Sequence, residues 1–118
     1  MTTFLDDLGN SGDPQVCPAE LALRVMRGRW KLMIVRELSG GVRRFSSLQR
    51  SLVGVSHKVL TAQLRELETD AVVWRRVFSE VPPRVEYGLT ERGQALLPVL
   101  DGLHAWGAAV PRAVEAGE

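Results

Sequence analysis

The sequence predicts a mainly α-helical domain that carries one small β-hairpin. Three observations lead there. From Pro18 to Asp70 apolar residues recur at helical spacing. Between Val72 and Leu89 the period changes to two. From Thr90 a long apolar stretch returns to a helical pattern. The 118 residues suffice for one domain around one core. We expect a loose polar arm over residues 1–16, a domain over 17–110 and a tail over 111–118.

Each element has its own signal. Pro18 suits a first helical position and leaves Cys17 as N-cap. Leu21, Leu23, Val25 and Met26 give that helix an apolar surface up to about Arg27, and Gly28 stops it. A second helix is expected from Trp30 to about Ser39, with Trp30, Met33, Ile34 and Leu38 on one stripe and Gly40-Gly41 at its end. A short third helix runs from about Phe45 to Leu52, and Gly54 closes it. The fourth, within SHKVLTAQLRELETD, starts at Ser56, whose hydroxyl can accept from the free amides of the first turn. Leu60, Leu64 and Leu67 form its inward stripe, and His57, Lys58, Thr61, Ala62 and Arg65 fall opposite.

Two helices joined by a tight glycine-containing turn, the second with a polar face, form a helix-turn-helix. The runs Val72–Phe78 and Val85–Leu89 then read as a hairpin whose tip is stiffened by Pro82-Pro83. In the second run Val85, Tyr87 and Leu89 share one face. Arg75 and Arg76 alternate across the first strand, so one of them should face outward with the wing surface. Thr90 caps the last helix, where Pro98 predicts a kink or break. Its Leu96, Leu97, Leu100, Leu103 and Trp106 exceed what one small core can cover, and a second copy would bury the surplus.

Charge is uneven. Nine cations and one anion, Glu37, lie between Leu21 and Leu60, whereas the segments on either side are net acidic. A cationic middle on a small domain points to a polyanion partner. One cysteine excludes an internal disulfide framework. Two histidines and that cysteine have no metal-ligand spacing, and no cofactor motif is present. Nothing resembles an activated nucleophile or a phosphate loop, which argues against an enzyme. No secretory signal or run of about 18 apolar residues is seen, so a soluble cytoplasmic protein without a membrane partner is expected.

The segments CPAELAL, GRWKLMIVREL, RFSSLQRSL, GVSHKVLTAQLRELE, VPPRVEYGLTERG and LLPVLDGLHAWG, in this order, resemble the HxlR family of bacterial transcriptional regulators, relatives of the MarR-like winged-helix proteins. The likeness covers roughly three quarters of the chain. Ala71 stands where that family usually has Gly, Val42 where Pro is frequent, and His57 where Gln or Asn is more usual. The resemblance implies a winged helix-turn-helix, dimerised through its first and last helices. Each subunit would place its Ser56 helix in the major groove of double-stranded DNA at an inverted repeat. Such regulators mostly repress.

On that reading His57, Lys58, Thr61 and Arg65 meet base edges. Lys31, Arg43, Arg44, Ser56 and Arg84 are the phosphate candidates. Leu21, Leu96, Leu100, Leu103 and Trp106 are the dimerisation candidates. Cys17, at a helix N-terminus, has its thiolate favoured by the free amides, with Arg24 helping and Glu20 opposing. Several members of the resembled family sense electrophiles or oxidants through a cysteine here, so Cys17 is the candidate sensor of a small-molecule or electrophile effector. The alternative is a winged-helix module that binds protein and not DNA.

Overall fold

The computed structural model describes residues 16–111. Apart from Val16 and Pro111, the expected arm and tail lie outside the described residues. Among those residues the chain forms α1 (Pro18–Val25), α2 (Trp30–Leu38), β1 (Arg43–Arg44), α3 (Phe45–Ser51), α4 (His57–Thr69), β2 (Val73–Phe78), β3 (Arg84–Leu89) and α5 (Glu91–Ala108). This is the expected winged helix-turn-helix, mainly helical with a small antiparallel sheet.

The helices start and stop where local chemistry says they should. Extended Cys17 leads into Pro18, whose missing amide is no loss at a helix start. The chain leaves α1 through Gly28 at φ +95° and enters α4 through Gly54 at φ +93°. Both angles lie in the left-handed region open to glycine. Ser56 Oγ accepts from the Val59 amide at 3.1 Å and so caps α4. Thr90 Oγ1 accepts from the Gly93 amide at 3.0 Å and caps α5.

The sheet has one strand more than the hairpin expected. β1 pairs antiparallel with β3, Arg43 opposite Tyr87 and Arg44 opposite Glu86, giving the order β1-β3-β2. A two-residue strand has no period to detect. β2 and β3 pair from Val73 opposite Leu89 to Phe78 opposite Arg84. Val85, Tyr87 and Leu89 share the core-facing side of β3 as expected, and Gly88 on the other side is buried under the Trp74 indole opposite it; an added Cβ would overlap that ring.

The core sits on α2. Ile34, Val35 and Leu38 meet Leu48 and Leu52, the α4 stripe Leu60, Leu64 and Leu67, and Val72, Val73, Tyr87 and Leu89 of the sheet. The three α4 leucines are essentially sealed from solvent, and each contributes about 1.5–3 kcal/mol by burial. That anchors α4 from behind. α5 is not broken at Pro98. Pro98 and Gln94 are both exposed, so water can serve the carbonyl that loses its donor. α5 packs only by its first half: Leu100 is 9 % exposed and Leu96 is half-buried against the core, whereas every residue from Asp101 to Ala109 is exposed.

Candidate nucleic-acid interface

α4 presents its polar face to solvent as the spacing predicted. His57, Lys58, Ala62 and Arg65 are exposed, and Thr61 is half-buried. The Thr61 hydroxyl oxygen is shielded and has no hydrogen-bond partner in the protein. The imidazole of His57 lies 4.7 Å from the Phe45 ring, which in turn lies 6.4 Å from Tyr87. An aromatic file thus runs from β3 through the first residue of α3 to the start of α4, and it fixes where His57 points.

Between α4 and the hairpin opens a cleft of about 1020 Å³. His57, Thr61 and Arg65 form one wall, Arg75 and Tyr87 the other, and the tip from Glu80 to Arg84 its far end. Burial pushes the Tyr87 phenol up from its ordinary pKa, and a hydrogen bond from Arg75 works the other way. This answers which strand arginine shares the α4 surface: Arg75 lines the cleft, while Arg76 turns back over Trp74 at 5.1 Å. Glu68, also on the cleft wall, was missed from sequence. Its signal was available, since it sits seven residues after Thr61 on the same helical face.

Three of the phosphate candidates are already committed within the protein. Lys31 is 3 % exposed and pairs with Glu66 of α4 at 2.5 Å, so the expected phosphate contact is corrected. Arg43 donates to Glu37 at 2.8 Å, to Ser47 and to Ser51, tying β1 to the end of α2 and to α3. These bonds hold the helix-turn-helix together and occupy the guanidinium that was expected to face a backbone phosphate. Arg84 stacks on Phe78 at 4.0 Å and lies between Glu80 (3.2 Å) and Glu86 (3.4 Å). Its charge is largely compensated within the hairpin, which weakens the case for it as the wing's phosphate contact. Arg44 stays exposed at the edge of the cleft. Ser56 is exposed, and its capping bond leaves its hydroxyl proton free to donate.

Among the dimerisation candidates, Leu21 (50 % exposed), Leu103 (52 %) and Trp106 (74 %) are open to a partner. Leu100 and Leu96 serve the subunit's own core instead, because they lie on the half of α5 that packs. α1 buries no residue, and its Leu23 is also exposed. Cys17 is half-buried, and its side chain makes no capping bond. Arg24 is paired with Glu20 at 2.8 Å, so the help it was expected to give a thiolate is offset. No helix is long and apolar enough to cross a membrane among the described residues.

The family model for the HxlR-like helix-turn-helix matches residues 25–114. An uncharacterized HTH-type transcriptional regulator of Methanothermobacter thermautotrophicus is 42 % identical over 102 residues, 86 % of this chain and 76 % of that one. YtcD of Bacillus subtilis, also named an HTH-type transcriptional regulator, is 48 % identical over 89 residues, 75 % of this chain and 71 % of its own. Among solved structures, the redox regulator HypR in its oxidized form shares 40 % identity with a TM-score of 0.73, covering 80 % of this chain and 98 % of that one. The reduced form of the transcriptional regulator YodB from B. subtilis shares 36 % identity with a TM-score of 0.69, covering 79 % and 93 %. With the anchored α4, the cleft beside it and the matched relatives together, the chain belongs to the HxlR-like helix-turn-helix family and is a DNA-binding transcriptional regulator.

Proposed function

We propose that the protein acts as a homodimeric repressor on an inverted-repeat operator and has no catalytic role. One observation carries the DNA-reading part. α4 is held by three buried leucines on one side and leaves His57, Lys58 and Arg65 bare on the other. His57, Lys58 and Arg65 are the base-edge donors, and Thr61 offers its methyl, since its hydroxyl is shielded. Arg44, Ser56 and Arg75 serve the phosphates.

The exposed apolar half of α5 and the unburied α1 support dimerisation. A lone subunit would leave Leu21, Leu23, Leu103 and Trp106 in water. Two copies joined there would set two α4 helices on one face of a duplex about one helical turn apart. The test pairs a mobility shift on duplexes selected from random sequence with sedimentation of the complex. A palindromic selected site with two subunits bound is expected. Selection of no common sequence would refute the reading.

The effector reading concerns Cys17. Its thiol sits at the entry to α1, the helix proposed to pair between subunits. HypR, at about 40 % identity, has been solved in oxidized and in reduced form, and YodB, at 36 %, in reduced form and after diamide treatment. Oxidant should therefore release DNA from the parent protein and not from Cys17→Ser; equal release from both would refute sensing by this thiol.

A further inference from the structure

α4 is attached to the rest of the chain in two physically different ways. The first is the leucine stripe described above, which meets Ile34, Val35 and Leu38 of α2. Apolar burial is strong but non-directional, so a stripe of leucines tolerates some roll of the helix about its axis. The second is an ion pair at the edge of that stripe. Glu66 precedes Leu67 and so flanks the buried line. Its carboxylate stays half-exposed, whereas the Lys31 ammonium that donates to it lies in the buried seam at the first turn of α2. Among the described residues Glu66 is the carboxylate that Lys31 meets. Arg27, in the turn between α1 and α2, adds a weaker attraction to the same carboxylate.

A roll of α4 matters at its outer face. Side-chain tips lie about 5–6 Å from a helix axis, so a roll of about 20° carries them about 2 Å. That is enough to leave the 2.7–3.2 Å window of an N–H···O bond. Holding His57, Lys58 and Arg65 to base edges therefore needs a directional restraint, and hydrogen-bonded charge pairs are the strongest the side chains offer.

We propose that Lys31 and Glu66 are positioning residues for DNA reading: their ion pair, made from α2 across the seam, fixes the roll of α4 and thereby the sequence preference. This rests on the DNA-binding reading and goes beyond it, because neither residue is required to touch DNA.

The experiment compares the full-length parent with Glu66→Asp, Glu66→Gln and the doubly apolar Lys31→Met/Glu66→Leu. Each is measured against a duplex selected by the parent and a scrambled duplex of the same composition. Glu66→Asp keeps the charge and loses the reach. The double variant removes both charges together, so no unpaired ammonium is left in the buried seam; thermal unfolding verifies the fold. The ratio of the two affinities is expected to fall roughly tenfold in all three, about what one good base contact is worth. The salt slope should not change. A merely structural role lowers both affinities together and leaves the ratio intact, which would overturn the proposal. Loss of the ratio in Glu66→Gln but not in Glu66→Asp would overturn it too, because charge and not reach would then matter. A parent that prefers no duplex would instead remove the DNA-reading proposal on which this one stands.

Discussion

The amide of Val72 donates to the carbonyl of Leu67 at 2.9 Å, and one residue before it Ala71 has φ +61°. The Ala71 amide donates to Glu68 at 3.0 Å, which completes a Schellman closure of α4. Leu67 and Val72, both buried, supply its apolar contact. A left-handed alanine carries a Cβ penalty that glycine does not. Ala71→Gly is therefore expected to stabilise the protein by about 1 kcal/mol, read as a rise in thermal midpoint with DNA affinity unchanged. A fall would show that another contact of the alanine methyl outweighs the strain.

The hairpin carries its own counter-charges. Arg84 lies between Glu80 and Glu86, so removing it should lower DNA affinity only slightly. Removing the charge of Glu80, which also ends the cleft, leaves that cation with Glu86 as its counter-charge. Glu80→Gln should tighten binding to selected and scrambled duplexes alike and steepen the dependence on salt by up to about one unit. Arg75→Ala should do the reverse. Titrations at several salt concentrations decide it, and a strong loss in Arg84→Ala would restore that residue as a direct contact.

Acid should loosen α4 before it unfolds the remainder. Lys31 holds the Glu66 carboxyl below its ordinary pKa of 4.5, by the hydrogen bond first and by its charge second. The folded state therefore binds this proton less readily than the unfolded chain does. The contribution is complete above the unfolded value and is lost as pH falls through the lower folded one. Denaturant midpoints taken from about pH 5 downward should fall less steeply in Glu66→Gln than in the parent. Parallel slopes would mean that the pair does not couple to folding.

The far half of α5 is the place to test assembly without touching the DNA face. Trp106, three-quarters exposed and at least one turn beyond the last buried residue, should tolerate a charge in the subunit itself. Trp106→Glu is expected to sediment as a monomer and to lose tenfold or more in affinity for a palindromic duplex, about 1.4 kcal/mol. Binding to a single half-site should persist. An intact dimer would move the subunit contact elsewhere.

The positions of the helices, their caps and the turns were legible in the sequence, because those signals are local. Ser56 caps α4 by reaching only three residues, and the spacing of Leu60, Leu64 and Leu67 defines which side is buried. Gly28 and Gly54 mark turns through an angle that depends on one residue. The family could be read for the same reason, as a run of such local patterns in order. What only the tertiary structure decided is which charges are free. Lys31 and Glu66 are 35 positions apart, and Arg43 meets Glu37, Ser47 and Ser51 only once α2, β1 and α3 have folded together. The strand β1 and the inward turn of Leu100 were decided in the same way. Coulombic pairing and burial depend on separation through space, and nothing in the order of a basic segment distinguishes the cation that will be sealed inside from the one left for DNA.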